Sequence, residues 1–148
     1  MLRYISVIDL CLADYQALAQ FRYQIRKFLH FSEEAARNER LEPHQHQMLL
    51  AIKALSFGEG PTVGRLAEHL LIRHHSAVGL LDRLEDRRLI KRVRATNGDR
   101  RQVSVHLTRE GETKLKHLTS VHRAELRTSG PDLVQALQAL LERENEQI

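Results

Sequence analysis

Apolar residues recur at helical spacing over most of the chain. Near the N-terminus, the apolar positions three or four residues apart that form one helical face are Leu18, Phe21, Ile25, Phe28 and Leu29. Residues 32–40 also suit a helix but have almost no apolar face, so the end of the first helix stays open. A second helix starts at Pro43, a residue suited to the first helical position, and its apolar stripe comprises Met48, Leu49, Ile52 and Leu55. The two glycines and the proline of residues 58–61 end it.

Two short helices joined by a tight turn follow. Thr62 can cap the first, whose apolar positions are Val63, Leu66, Ala67 and Leu70. Only Leu71 and Ile72 separate it from a pattern that runs from about His74 to Arg87. Its inward positions are Ala77, Val78, Leu81 and Leu84, and its outer face carries Ser76, Gly79 and Arg83. The spacing predicts a helix-turn-helix.

A basic β-hairpin is predicted directly after this pair. Residues 89–94 suit one strand, and residues 102–107 suit a second strand in which Val103, Val105 and Leu107 alternate with Ser104 and His106. The connection contains Asn97-Gly98, a strong hairpin signal because both residues tolerate positive φ. A hairpin placed after the second helix makes the pattern a winged helix-turn-helix.

Two further helices are predicted at the C-terminal end. Thr108 can cap a fifth helix with an apolar stripe of Leu115, Leu118, Val121 and Leu126. Residues 128–131 end in glycine and proline, so we expect a break there before a sixth helix.

The fold class is therefore mainly α with a small β wing. We expect 43–108 to be the DNA-binding region and 1–42 with 109–148 to form dimerisation helices. The alternative is that the terminal helices fold back onto their own subunit.

Positive charge is concentrated in the middle of the chain. The net charge is +4 at pH 7, but residues 64–109 hold eleven Lys and Arg against five acids, so the remainder is slightly acidic. A localised basic region is typical of nucleic-acid binding, and a solvated surface without a partner is the alternative. No apolar run is long enough to span a membrane, and Cys11 is the single cysteine. We expect one cytoplasmic domain without a disulfide.

Several blocks of residues together resemble the MarR (multiple-antibiotic-resistance regulator) family. They are Leu66 to Leu70, Val78 to Glu85, Arg92, Asp99-Arg100-Arg101 and Leu107 to Gly111. The resemblance extends over nearly the whole chain and implies a single domain, 1–148. It further implies a homodimer that binds pseudo-palindromic double-stranded DNA, usually as a repressor. We expect no cofactor, and no metal because the histidine pairs are poorly spaced to share an ion.

The resemblance also implies which residues meet DNA. The residues that would approach base edges and phosphates from the second helix of the pair are His74, His75, Ser76 and Arg83. Gly79 would let this helix sit close to the groove. Arg101 would enter the minor groove, oriented by Asp99, and Arg94 and Arg100 would contact phosphates. The alternative for Arg83 is a surface ion pair with Glu85 or Asp86.

Two positions depart from the family pattern. Arg73 stands where a capping residue is usual before the second helix, although it could bind a phosphate there. Arg88 replaces the glycine that commonly reverses the chain after that helix, so we expect local strain or a shifted turn.

Many relatives release DNA when a small aromatic acid binds, and the candidate ligand-binding residues here are Tyr23, Arg26 and His46. Redox sensing through Cys11 and metal sensing through histidines are alternatives within the same fold.

A winged-helix module that binds protein is a further alternative, but it would not need arginines at the wing tip. Phosphate-binding glycine loops, His-Glu metal motifs and nucleophile elbows do not occur in the sequence, which argues against an enzyme.

Overall fold

The computed structural model describes residues 9–94 and 102–145. The elements in chain order are α1 (Leu12–Asn38), α2 (Pro43–Ala54), α3 (Val63–Leu70), α4 (His74–Asp86), β1 (Ile90–Arg94), β2 (Val103–Leu107) and α5 (Arg109–Asn145). The chain divides into two compact units. One is Ser32–His122, and the other, the terminal unit, comprises the described parts of Met1–Phe31 and Arg123–Ile148. No helix in the described part combines the length and apolarity needed to cross a membrane.

The hydrophobic core of the Ser32–His122 unit is built from the apolar stripes of α2, α3 and α4. Its largest fully buried apolar side chains include Leu41, Met48, Leu49, Ile52, Leu66, Leu81, Leu84, Leu89, Ile90, Val105 and Leu118. The predicted inward positions of α2 and α4 are thereby confirmed, except that Val78 and Leu55 are only half-buried. Leu80 is also buried, because the inward face of α4 is wider than the sequence pattern indicated.

The predicted wing strands pair antiparallel, from Ile90 opposite Leu107 to Arg94 opposite Val103. Asn97 and Gly98 lie outside the described residues. The alternation of β2 is less clean than predicted, since Val105 is buried whereas both of its neighbours are half-buried. His106 is covered because Gly60, at φ +93°, approaches its ring so closely that a Cβ at position 60 would clash with it.

The predicted break at residues 128–131 is wrong, because α5 runs unbroken from Arg109 to Asn145 with Pro131 inside it. Gly130 does not take the positive φ that ends many helices. Pro131 has no N–H to donate within the helix, and one turn earlier the hydroxyl of Ser129 donates to the carbonyl of Glu125 at 3.1 Å. Helix α1 likewise continues through the apolar-poor segment to Asn38.

Three helix ends are closed by a residue other than glycine in the left-handed region: Arg40, Leu71 and Arg88, with φ of 59°, 56° and 59°. The residue that follows each of these three donates its N–H to the carbonyl five positions before it. The N–H of Leu89, for example, donates to the carbonyl of Leu84 at 3.0 Å. This is the Schellman arrangement, in which a non-glycine residue costs about 1–2 kcal/mol. The strain expected at Arg88 is therefore confirmed.

The start of α5 is joined to the end of α4 through backbone groups. Thr108 caps α5 as predicted, since its Oγ1 accepts from the N–H of Gly111 at 3.2 Å and donates to the carbonyl of Arg88 at 2.7 Å. The carbonyl of Leu89 accepts from the N–H of Thr108 at 3.0 Å. A Cβ at Gly111 would overlap this same carbonyl oxygen, so the approach requires glycine.

We expect Gly111→Ala to lower the free energy of unfolding by about 1–3 kcal/mol, because the methyl group would meet a backbone carbonyl that cannot move without breaking the Thr108 hydrogen bonds. Denaturant unfolding followed by circular dichroism measures this change. Gly130→Ala is the matched control, because a Cβ there meets open space and alanine favours the helix. Equal stability of the Gly111→Ala variant and the wild type would contradict the role given to this contact.

Candidate nucleic-acid interface

The outer face of α4 is polar and free of the core. While Ala77, Leu81 and Leu84 point inward, the residues of the predicted DNA-binding set that are exposed on or just before this helix are Arg73, His74, His75, Ser76 and Arg83. Arg73 stands at the N-cap but its side chain makes no capping hydrogen bond. The first N–H groups of α4 are therefore open to an external acceptor such as a phosphate oxygen.

No contact among the described residues requires glycine at position 79. It lies inside α4, and a Cβ there would meet only the flexible end of Arg83, at an ordinary contact distance of 3.7 Å. Glycine inside a helix costs about 1 kcal/mol relative to alanine. This cost is unexplained by the described fold and is consistent with a requirement for close approach by a partner, which stays a prediction.

Arg92 ties the wing to α4. Its Nε donates to Glu85 Oε2 and its Nη2 donates to Asp82 Oδ1, each at 2.6 Å. The ion pair that the sequence offered as an alternative between Arg83 and Glu85 or Asp86 does not form, and Glu85 pairs with Arg92 instead. Arg83 has no ion pair with any residue in the described ranges. The sequence analysis missed this positioning role of Arg92, for which the only local signal was two acids three residues apart on α4.

The root of the wing is also tied to the segment before α3. The N–H of Val105 donates to the carbonyl of Pro61 at 2.9 Å, and Ser104 Oγ lies 2.8 Å from His106 Nε2. Arg94, at the end of β1, is exposed as a phosphate contact requires. Asp99, Arg100 and Arg101 lie outside the described residues, so their assigned roles stay predictions.

The three candidate ligand-binding residues are divided between the two compact units. Tyr23 and Arg26 are exposed on α1 in the terminal unit, where the amine of Lys27 lies 5.6 Å from the Tyr23 ring centroid. His46 belongs to the Ser32–His122 unit and is 97% buried. A groove within the terminal unit has a lining that includes Lys27 and Phe28 but neither Tyr23 nor Arg26.

His46 is a buried imidazole with an unpartnered nitrogen. Its Nδ1 has no hydrogen-bond partner among the described residues, and its ring centroid lies 5.0 Å from that of His122. His122 Nδ1 donates to the carbonyl of Leu118 at 2.7 Å, and its Nε2 lies 2.8 Å from Ser32 Oγ. Burial, followed by the charge of His122, lowers the pKa of His46 to about 4.

Cys11 is exposed in the terminal unit beside a cation. Arg143 Nη2 donates to its Sγ at 3.0 Å, while Arg143 Nε donates to Asp14 Oδ1 at 2.7 Å. The hydrogen bond from Arg143, followed by that from the backbone of Cys11, lowers the pKa of Asp14 to about 2. Within residues 9–94 and 102–145, no group of three or more His, Cys, Asp or Glu side chains is arranged to hold a metal ion.

We expect His46 to make the protein less stable in acid. Its folded pKa of about 4 lies below the ordinary value of 6.5, so the unfolded chain binds more protons and the free energy of unfolding falls as pH drops from 6.5 towards 4. In His46→Leu, the loss of stability between pH 7 and pH 4.5 should shrink by about 2 kcal/mol, measured by urea unfolding at each pH. His44→Leu, at an exposed position of α2, is the matched control. An unchanged pH slope in His46→Leu would refute the assignment.

Comparison with known proteins identifies the fold and a family model that matches the middle of the chain. Residues 41–102 match the model of the MarR family. AbsC, a MarR family transcriptional regulator from Streptomyces coelicolor, superposes with a TM-score of 0.72 at 21% identity, covering 95% of this chain and 97% of AbsC. No curated protein sequence matches the chain significantly.

A solved structure with bound DNA is among the similar proteins. The complex of Staphylococcus aureus MepR with DNA superposes with a TM-score of 0.61 at 25% identity, over 90% of this chain and 89% of MepR. A further structure of MepR, a transcription regulator of the Staphylococcus aureus multidrug efflux pump MepA, gives a TM-score of 0.68 at 23% identity and the same coverage. The chain therefore shares its winged helix-turn-helix fold with these regulators, and its segment 41–102 matches the model of the MarR family.

Proposed function

We propose that the chain is a sequence-specific regulator of transcription that binds double-stranded DNA as a homodimer and acts as a repressor in the cytoplasm. The observation that carries this proposal is the outer face of α4. Its exposed basic and polar side chains have no role in the core, and Arg83 on this face has no ion pair among the described residues. The solved complex of MepR with DNA supports the same use of the fold.

In this proposal α4 and the wing contact different grooves of the DNA. An α-helix fits the major groove of DNA, where a bidentate base contact contributes about 1–3 kcal/mol of discrimination. Because Arg92 joins β1 to α4, a groove-bound helix would set the position of the wing. Asp99, Arg100 and Arg101 would then reach the minor groove and neighbouring phosphates, as the family resemblance predicts.

Apolar side chains exposed on the helices of the terminal unit support assembly with a second copy. The large apolar residues at least two-fifths exposed there include Leu12, Tyr15, Leu18, Leu29, Val134, Leu137 and Leu141. Burying such faces is favourable by about 25 cal/mol per Å², and a symmetric dimer would bury both sets at once. An operator with two similar half-sites follows from that symmetry.

Release of DNA by a small aromatic effector is part of the proposal and rests on the family resemblance. The residues proposed to bind this effector are Tyr23, Arg26 and His46. They do not form one pocket within either unit, because Tyr23 and Arg26 belong to the terminal unit and His46 to the Ser32–His122 unit. The redox alternative has one supporting observation, the hydrogen bond from Arg143 to the exposed thiol of Cys11.

The central test is binding to DNA. We expect the wild type to prefer a duplex from upstream of its own gene over a scrambled duplex, with affinity that falls steeply as salt increases. Arg83→Ala should weaken binding to the natural duplex about tenfold, because a base or phosphate contact of the exposed guanidinium is lost. Fluorescence anisotropy at several salt concentrations measures both effects.

Arg127→Ala is the matched control for charge, because Arg127 is exposed on α5 in the terminal unit. It should leave the preference for the natural duplex intact. Absence of wild-type binding to either duplex at low salt would overturn the proposed function. Equal losses in Arg83→Ala and Arg127→Ala would instead remove Arg83 from the interface.

Gly79→Ala separates folding from DNA binding. Alanine should raise the free energy of unfolding by about 1 kcal/mol, since the site has room for a methyl group and alanine favours the helix. The same methyl group should weaken DNA binding severalfold if α4 lies against the groove at this position. Thermal unfolding and anisotropy give the two values, and a stabilised variant with undiminished affinity would show that Gly79 does not serve close approach.

A further inference from the structure

An exposed arginine and an exposed phenylalanine form a stacked pair at the start of α3. The guanidinium carbon of Arg65 lies 5.1 Å from the centroid of the Phe57 ring. Phe57 is 61% exposed and stands in the turn after α2, where the N–H of Gly60 donates to its carbonyl at 3.2 Å. The turn therefore holds the Phe57 ring at the surface, and the guanidinium of Arg65 lies over the face of that ring.

The position of Arg65 is electrostatically unfavourable within the isolated chain. It lies in the first turn of α3, where its N–H donates to the capping Oγ1 of Thr62 at 3.3 Å. A helix N-terminus carries partial positive charge and favours anions, yet the first turn of α3 holds no acid. Arg65 makes no ion pair within residues 9–94 and 102–145. The fold therefore does not account for a cation at this position, whereas an external anion would.

The stack prepares the guanidinium for such an anion. A cation over an aromatic face contributes about 0.5–1 kcal/mol at an exposed site and restricts the long side chain to one plane. The N–H groups at the edge of that plane stay available, and their fork matches two oxygens of a phosphate. Phe57 consequently reduces the freedom that Arg65 would otherwise lose on binding.

We infer that Arg65, positioned by Phe57, binds a backbone phosphate of the DNA duplex. The inference rests on the proposed function, because the first helix of a helix-turn-helix crosses the phosphate backbone while the second reads the bases. A phosphate contact carries no sequence information, so the Arg65–Phe57 pair sets the register of the protein on DNA and the strength of binding.

The test compares four variants on the natural and scrambled duplexes over a range of salt concentrations. Arg65→Ala should weaken binding to both duplexes by a similar factor of about five and reduce the log–log salt slope by about 0.9. Phe57→Leu should weaken binding two- to threefold with the salt slope unchanged, because it removes the platform and leaves the charge. Arg65→Lys should resemble Phe57→Leu, since the ammonium keeps the charge but lacks the planar fork. Arg127→Ala should leave the slope unchanged.

A double variant tests the coupling. Adding Phe57→Leu to Arg65→Ala should cause no further loss, because the ring acts only through the guanidinium. An unchanged salt slope in Arg65→Ala, or a full additional loss in the double variant, would overturn the inference while wild-type binding leaves the proposed function intact. Failure of the wild type to bind either duplex would overturn both. Circular dichroism confirms folding of each variant, as both side chains are exposed.

Discussion

The carbonyl of Leu89 connects the helices and the wing of the Ser32–His122 unit, called the winged unit below. It accepts a hydrogen bond from Thr108 and lies against Gly111 at the start of α5, while the N–H of the same residue closes the end of α4. The backbone N–H and carbonyl of this one residue therefore fix the end of α4, the beginning of β1 and the first turn of α5. Because these contacts are made by backbone atoms, they depend on the path of the chain more than on side-chain identity, and the single strict requirement is glycine at position 111.

Some cations of the winged unit pair with acids of the same unit, whereas others are exposed to solvent. Asp82 and Glu85, two of the few acids in a basic region, are both engaged by Arg92 at the wing root. They neutralise a cation that positions the wing, and Arg83 on the outer face of α4 has no ion pair among the described residues. A count of charges along the sequence could locate the basic region but not this division, which decides which cations are available to a phosphate.

Much of the winged unit could be predicted because its signals are local. Thr62 and Thr108 cap helices by bonding to residues three positions away, and the α2 and α4 stripes follow the helical period. The glycine and proline near residue 130 were a misleading local signal, because a helix ends only where its backbone also turns away. The Arg92 ion pairs and the Arg65–Phe57 stack join residues seven to ten positions apart in different elements, and no spacing rule selects such partners among eleven cations in residues 64–109. The burial of His46 likewise depends on how α2 packs, which its own sequence neighbours do not reveal.

The three left-handed helix ends also bear on how the chain tolerates substitution. Leu71 is 92% exposed, and Arg40 and Arg88 are exposed as well, so burial alone would class all three as freely variable. Their positive φ reverses that expectation: valine, isoleucine and threonine, whose branched Cβ is least compatible with this backbone, are the costly replacements, whereas asparagine and glycine are the favoured ones. At these surface positions the backbone, and not the solvent, selects the residue.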